Sequence, residues 1–426
     1  MTAEVGVMNR LGVALAADSA VTIGDARKVY SSADKLFQLC TGAPIAVMTY
    51  GNATYLDLPW EMVIKVFRAR NGARTFPHLE DYASAFFDYV AGHTPPFPAA
   101  GDNESTRRLL GTILFDLRDQ IKLACDTAAE ERNGLDQNDI AAIIDDAVGE
   151  RLEEVMKREL LPGFSEDDRS KAGGLYSEII AELRAQILGH LPISPSATET
   201  LDELLCQALI RNYMGPGNSG IVIAGFGDDD YFPGILHYKV EGRTLDRIRR
   251  RLSNAHKINN ETEALIVPFA QSDAAATFLE GVAPQLTREM ETSVRALFQG
   301  TKDAIVEHLR SSDANLAKSL HDQLSPALDG VLTNLFKGWR GMRQRFWSPV
   351  LDMVEALPKD EIAAAAEALV NLTKFRRKVT PVHESVGGPI DVALITKGDG
   401  FVWVKRKHYF TPELNPRVIG RLQKGI

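Results

Sequence analysis

The chain is 426 residues long, with 48 basic against 57 acidic side chains and a formal net charge of −9. At 45% hydrophobic and 25% charged it holds enough apolar material for a sizeable core or two, which excludes disorder as its main state. The length fits two to three domain equivalents at roughly 100–200 residues each.

No run approaches the roughly 18–20 apolar residues of a membrane span. The N-terminus lacks the basic start, apolar core and small-residue cleavage site of a secretory signal. A cytoplasmic chain with no membrane partner is expected. Cys40, Cys125 and Cys206 show no CxxC spacing, and the histidines form no HExxH motif. They read as free core thiols, with no metal and no cofactor expected.

In chain order, Thr2 to Met8 alternates imperfectly, Asn9-Arg10-Leu11-Gly12 supplies turn residues, and Val13–Ala17 is a small apolar strand ending at Asp18, which together predict a hairpin. Further strands fit 35–39 and 44–48, the latter stopping at Tyr50-Gly51-Asn52. Trp60, Val63, Ile64 and Phe67 then fall at helical spacing, with Asp57 as cap and Pro59 in the first turn. The helical pattern continues to about residue 213, broken at 94–103, 161–164 and 191–196.

Strand character returns at 221–226, resumes at 235–240 after a turn-rich stretch, and recurs at 264–269. About 100 residues of helical pattern follow from Ala274 to Lys378, one apolar face being interrupted by Pro326. Ile390–Ile395, the turn Lys397-Gly398-Asp399-Gly400 and Phe401–Val404 form the clearest hairpin signal. Strands contributed by both chain ends favour a layered α+β domain carrying long helical insertions.

The opening segment resembles the proteasome β-subunit family and its bacterial relatives, the N-terminal-nucleophile (Ntn) hydrolases. The likeness rests on Thr2 after the initiator Met, Gly12-Val13-Ala14-Leu15-Ala16-Ala17-Asp18-Ser19, Asp34-Lys35-Leu36 opening the next strand, and Tyr50-Gly51-Asn52-Ala53. Residues 221–226 with 233–238 look like the family's central hairpin, and Val386-Gly387-Gly388-Pro389-Ile390 like its terminal glycine-pair strand. These parts make up about a third of the chain, all of it sheet.

The resemblance implies an α+β fold, a four-layer αββα Ntn-hydrolase sandwich with two long helical insertions. Residues 1–59 would supply the N-terminal core strands, 60–213 a helical insertion, 214–273 the central strands, 274–380 a helical region and 381–426 the closing strands and tail. It implies Thr2 as nucleophile, Asp18 and Lys35 as its supports, and the Gly51 N–H as oxyanion donor. Ser272 and Glu384 are the candidates for two further groups that support the terminal amine in the family, although direct counting lands on His383 at the second place. Self-association into a ring or spiral and a peptide or unfolded-protein substrate are also implied. No Walker-type GxxxxGK[ST] is present, so a substrate unfoldase would be a separate ATP-driven protein.

The chemistry is arguable from residues alone. A threonine hydroxyl needs a base, and an N-terminal threonine carries one in its own α-amine, whose pKa of about 7.7–8.0 lies near neutrality. Methionine before a small residue is normally trimmed, which would expose Thr2. A lysine nearby lowers the cost of an alkoxide, and an aspartate holds that lysine charged and oriented.

Plain structural readings stand beside these: Asp18 ending a strand in an Asx turn, Lys35 as an exposed strand-start charge, Gly51 serving a tight turn, Glu384 as a solvated loop acid. Rival functions are a non-catalytic structural or adaptor subunit of the same fold, binding through its helical insertions, and a small-molecule amidase. The basic clusters 247–251 and 374–378, with 405–408, fit helix C-terminal caps, ion pairs across subunits or a chamber lining better than nucleic acid, given the net acidic chain.

Overall fold

A computed structural model describes residues 2–23, 28–92, 100–132, 134–271, 273–310, 313–380 and 386–423. The chain opens with β1 (Glu4–Asn9) and β2 (Gly12–Asp18), followed by β3 (Val21–Ile23), β4 (Lys28–Tyr30), β5 (Leu36–Gln38) and β6 (Ile45–Gly51). A short hairpin, β7 (Thr54–Tyr55) and β8 (Leu58–Pro59), leads into helix α1 (Trp60–Asn71). Leu56 and Asp57 adopt φ of 47° and 66°, the left-handed pair of a type I′ hairpin turn. Asp57 therefore shapes that turn instead of capping the helix, whose N-cap is Pro59 without a side-chain bond.

Five further helices follow: α2 (Leu79–Ala91), α3 (Ala100–Arg132), α4 (Gln137–Met156), α5 (Asp168–Leu188) and α6 (Pro195–Ile210). Next come β9 (Ser219–Gly225), β10 (Gly234–Thr244), β11 (Arg247–Lys257) and β12 (Ala264–Ala270). The chain closes with α7 (Asp273–Glu280), α8 (Pro284–Arg310), α9 (Ala314–Glu355), α10 (Lys359–Val379), β13 (Ile390–Thr396), β14 (Gly400–Lys405) and α11 (Pro416–Gln423).

The structure departs from the sequence pattern in two places. Arg247–Arg251 opens a strand, not a helix end, and β11 pairs antiparallel with β10 from Thr244↔Arg247 to Gly234↔Lys257. β11 lies at the edge of its sheet, and its Arg247, Arg250 and Arg249 turn back into the protein, to a carboxylate, a ring and carbonyl oxygens respectively. Pro326 does not interrupt its helix, since α9 runs unbroken past both Pro326 and Pro349. The helix as a whole packs along α8, α7 and β12.

The chain divides into two compact units. The first holds residues 1–33, 258–394 and 402–409. Its sheet has the order β12-β1-β2-β13-β14, with β1 antiparallel to both β2 and β12. Helix α10 lies on β1 and β2 because Ile362, Ala366, Leu369 and Val370 form one stripe, and they bury against Val5, Val7, Ala14 and Ala16. Burying one such aliphatic side chain is worth about 1.5–3 kcal/mol. The small residues of β2 let the helix approach closely. Helices α8 and α9 pack against each other.

The second unit holds residues 34–257, 395–401 and 410–426. Its sheet has the order β11-β10-β9-β6-β5. Helices α1 and α2 cover one face, seating Trp60, Phe67 and Phe86 against Val47, Ile221 and Ile223. Helices α3 to α6 build a core of their own around Leu110, Leu114, Leu117, Ile180, Leu201 and Leu205. The architecture is thus mixed α+β, each unit layering helices on a five-stranded sheet.

Candidate active site

In the first unit the hairpin register pairs Glu4 with Ala17, which leaves Thr2 two residues ahead of the ladder and Asp18 at its end. The backbone continues the pairing by one step, Asp18 N–H donating to the Ala3 carbonyl at 3.1 Å. The Asp18 carboxylate returns the link: Oδ1 accepts the Ala3 N–H at 3.0 Å, and Oδ2 accepts the N–H groups of Ala20 at 3.3 Å and Gly387 at 3.0 Å. Thr2 is buried at 8% exposure and Asp18 at 1%. A buried carboxylate is tolerated only when its oxygens are bonded, and here three backbone donors do this.

Ser19 completes the clasp. Its N–H donates to the Gly387 carbonyl at 3.2 Å and its hydroxyl to the Pro389 carbonyl at 2.7 Å. Gly388 has φ of +74°, and a Cβ there would stand 2.8 Å from Ser31. Lys374, in the basic run ending α10, donates to the Gly388 carbonyl at 2.9 Å. The glycine pair is therefore held against the strand end that carries Asp18.

In the second unit Lys35 directly precedes β5 and is buried, its carbonyl accepting the Thr49 N–H at 2.9 Å. Gly51 ends β6 opposite Ser219, with φ of +80° and only 2.5 Å between a hypothetical Cβ and the Asn218 carbonyl oxygen. Glycine is required there. Asn52 N–H donates to the Asn218 carbonyl at 3.2 Å, and alternation along an antiparallel ladder then turns the Gly51 N–H away from β9. It faces the same side as the Thr49 N–H, beyond the point where β5 starts. The turn is fixed by Ser219, whose hydroxyl donates to the Asn52 carbonyl and accepts the Trp60 indole N–H, both at 2.8 Å.

The candidates thus form two pairs: Thr2 with Asp18 in one unit, Lys35 with Gly51 in the other. Met1, Ser272 and Glu384 lie outside the described residues. Beside the Gly51 turn a cavity of about 30 Å³, lined by Asn52, Tyr55, Ser105, Arg108, Ser219 and Glu241, has room for about one water and none for a substrate.

Other chemistry is limited among the described residues. No group of three or more His, Cys, Asp or Glu side chains there could hold a metal ion. Burial pushes the Cys40 thiol up to about 12 and raises those of Cys206 and Cys125, so these sulfurs stay protonated and unreactive. The arginines of β11 bind inside the protein: Arg247 pairs with Asp168, Arg250 lies over Phe87, and Arg249 donates to the Ala208, Leu209 and Tyr213 carbonyls. Arg249 does cap a helix C-terminus, that of α6, but does so from a strand. In the run 374–378, Arg376, Arg377 and Lys378 fall in the last turn of α10.

Sequence reasoning missed the partners of Asp18. The Asp-Ser pair and the glycine pair were each visible, but nothing in either signals that they bond across the chain.

The chain is similar over all of its length, and over 96% of the other chain, to a solved structure of an Anbu (Gly-1) mutant from Hyphomicrobium sp. strain MC1, at 9% identity and a TM-score of 0.29. It is similar over 99% of its length, and 95% of the other chain, to Anbu (ancestral beta-subunit) from Yersinia bercovieri, at 9% identity and a TM-score of 0.30. No protein-family model and no curated protein matches the sequence. At such TM-scores the superposition is too loose to locate a site, which rests on the residues above.

Proposed function

We propose that this chain is a threonine-type hydrolase of the proteasome-like Ntn class, with a four-layer αββα core, cleaving peptide or similar amide bonds through an acyl-enzyme on Thr2 after Met1 is removed. The observation that carries the reading is the Asp18 clasp. A buried carboxylate bonds the N–H of the residue after Thr2, and so ties down the backbone from which a nucleophilic amine and hydroxyl would project.

In the proposed reaction the free α-amine of Thr2 takes the hydroxyl proton as Oγ attacks the scissile carbonyl carbon. The carbonyl oxygen gains negative charge and is stabilised by the Gly51 N–H. Collapse breaks the C–N bond, the departing amine takes the proton, and an ester on Thr2 remains. Water, deprotonated by the same α-amine, hydrolyses that ester and returns the proton to Oγ. The reading requires the Lys35 ammonium to lie within hydrogen-bonding range of the Thr2 hydroxyl, with Ser272 and Glu384 as candidates around the amine.

Self-association of the chain and a separate ATP-driven unfoldase belong to the same proposal. Exposed apolar side chains on α8 and α9, among them Leu297, Val331 and Phe346, support association over a solitary monomer. The rival reading, a non-catalytic adaptor, is favoured by one observation: α3 to α6 have a separate core suited to presenting a binding surface.

Labelling with a threonine-directed peptide warhead, followed by intact-mass analysis and adduct mapping, separates the two readings. The hydrolase reading expects loss of Met1, one adduct on Thr2, and its disappearance in Thr2→Ala with assembly intact. Retained Met1 in native protein, or labelling that survives Thr2→Ala, overturns it. A panel of peptide and small amide substrates then distinguishes a peptidase from a metabolite amidase.

A further inference from the structure

Beside the Gly51 turn, the second unit carries a side-chain arrangement that the proposed reaction does not use. Tyr50 on β6 stands opposite Gly220 on β9. A Cβ on Gly220 would lie 2.1 Å from the Tyr50 ring, so only glycine lets that ring lie across the neighbouring strand. Having crossed β9, the ring reaches β10. Its Oη is 2.7 Å from His237 Nε2, and Lys239 Nζ sits 4.5 Å from the ring centroid. The ring is held at three points, from below by a missing side chain and from beyond by a hydrogen bond and a cation.

His237 is buried at 7% exposure. Burial pushes its imidazole down to about 4, and the charges of Lys239, Arg251 and His256 act in the same direction. At neutral pH the ring is uncharged, and its Nε2 bonds the phenol as acceptor in one tautomer and as donor in the other.

The carbonyl of Tyr50 and the N–H of Gly51 belong to one rigid peptide plane. On the Tyr50 side, the ladder alternation makes Tyr50 and Gly220 a bonded pair, so that carbonyl points to β9 and the Gly51 N–H points the opposite way. On the other side lies glycine, the residue with the most torsional freedom, at the last position of its strand. Beyond Gly51 the backbone is held again at Asn52, whose N–H donates to the Asn218 carbonyl, so the plane turns only between these two anchors and Tyr50 supplies the one on its carbonyl side.

We propose that Tyr50 and His237 are positioning residues that hold the Tyr50–Gly51 peptide plane and so aim the Gly51 N–H at the developing oxyanion. This rests on the hydrolase reading for its catalytic consequence, but not for its structural one. Removing the phenol bond takes away one of the ring's three holds, which weakens the support of the Tyr50–Gly220 pair and widens the swing of the plane about the Gly51 φ. A donor that must reorganise during reaction stabilises the transition state less, while ground-state substrate binding is barely touched.

The test compares wild type with Tyr50→Phe, His237→Leu and His237→Gln in the full-length protein, by hydrogen exchange of peptides covering residues 48–52 and by kcat and KM on a peptide substrate. Tyr50→Phe and His237→Leu are expected to speed exchange in that segment and to lower kcat about 10–100-fold, with KM within about threefold. His237→Gln, whose amide can take the phenol bond, is expected to recover both. Wild-type kcat in Tyr50→Phe, a loss confined to KM, or a failure of glutamine to rescue overturns the proposal. If wild type neither turns over nor labels at Thr2, the hydrolase reading has failed, and exchange alone decides the positioning. Unchanged exchange at residues 48–52 in Tyr50→Phe then refutes it.

Discussion

Removing the Arg249 guanidinium should unfasten helix α6 from the sheet. Arg249 is fully buried, and its Nε donates to the Leu209 carbonyl at 3.0 Å while Nη2 donates to those of Ala208 at 2.9 Å and Tyr213 at 2.6 Å. Ala208 and Leu209 are among the final carbonyls of α6, which have no partner within the helix. Glu241 faces the guanidinium at 3.3 Å and also accepts the Gly215 N–H. Burial pushes the guanidinium below the usual arginine value and Glu241 opposes the shift, leaving it charged.

Arg249→Met keeps the aliphatic stem but strands the carbonyls and a nearly buried carboxylate. Breaking one side of a buried pair costs roughly 3–5 kcal/mol, and each buried carbonyl left unsatisfied roughly 1–3 kcal/mol. A local loss of about 4 kcal/mol corresponds to about a thousandfold faster exchange of the most protected α6 amides, at tenfold per 1.4 kcal/mol. Hydrogen exchange with mass spectrometry reads this directly. Acceleration below tenfold, or acceleration spread evenly over α1 and α2 as well, would refute the idea that Arg249 is what anchors this helix.

Asp230 accepts the N–H groups of Leu79 and Gly227 at 2.9 Å and the Lys257 ammonium at 2.7 Å, and so caps α2 from outside the helix. Burial alone would raise its carboxyl, but Lys257, these N–H groups and His78 together bring it down to about 2. With a folded value below the unfolded one of about 3.9, its contribution is complete above about pH 4 and fades as pH falls toward 2. Melting curves across pH 5 to 2 should show that slope flattened in Asp230→Asn, which also costs about 1–2 kcal/mol at pH 7. Asp18→Asn should cut hydrolysis at least tenfold while circular dichroism stays unchanged, because its amide group turns an NH₂ toward donors that need an acceptor. Full activity in that variant would show that neither the clasp nor the charge is needed.

Much of the sheet was legible because its signals are local. Asn9-Arg10-Leu11-Gly12 marks the β1–β2 turn and Lys397-Gly398-Asp399-Gly400 the β13–β14 turn, each between apolar runs that form the strands. β11 was not, since its alternation is filled by arginine, and no composition rule separates the buried Arg249 from Arg250 beside it. Pro326 misled for a related reason: a local penalty is one term among those of a 42-residue helix, which runs through it. Thr2, Asp18, Lys35 and Gly51 could be picked out by type and order. The Asp18–Gly387 bond spans 369 residues and could not.

The positions of the candidates share a logic that their separate motifs do not state. Asp18 and Gly51 are the last residues of β2 and β6, Lys35 is the residue before β5, and Thr2 lies just ahead of β1. At a strand's end the ladder still holds the backbone on its inner side, and the residue beyond it runs past the partner strand. Functional groups placed there combine the rigidity of the sheet with freedom to face a substrate. The cost of that arrangement is that strand ends fray. Here fraying is opposed at both sites by side chains acting on backbone: Asp18 and Ser19 on Ala3 and residues 387–389, Ser219 on Asn52. These bonds satisfy buried polar groups and at the same time fasten the strand ends that carry the candidates.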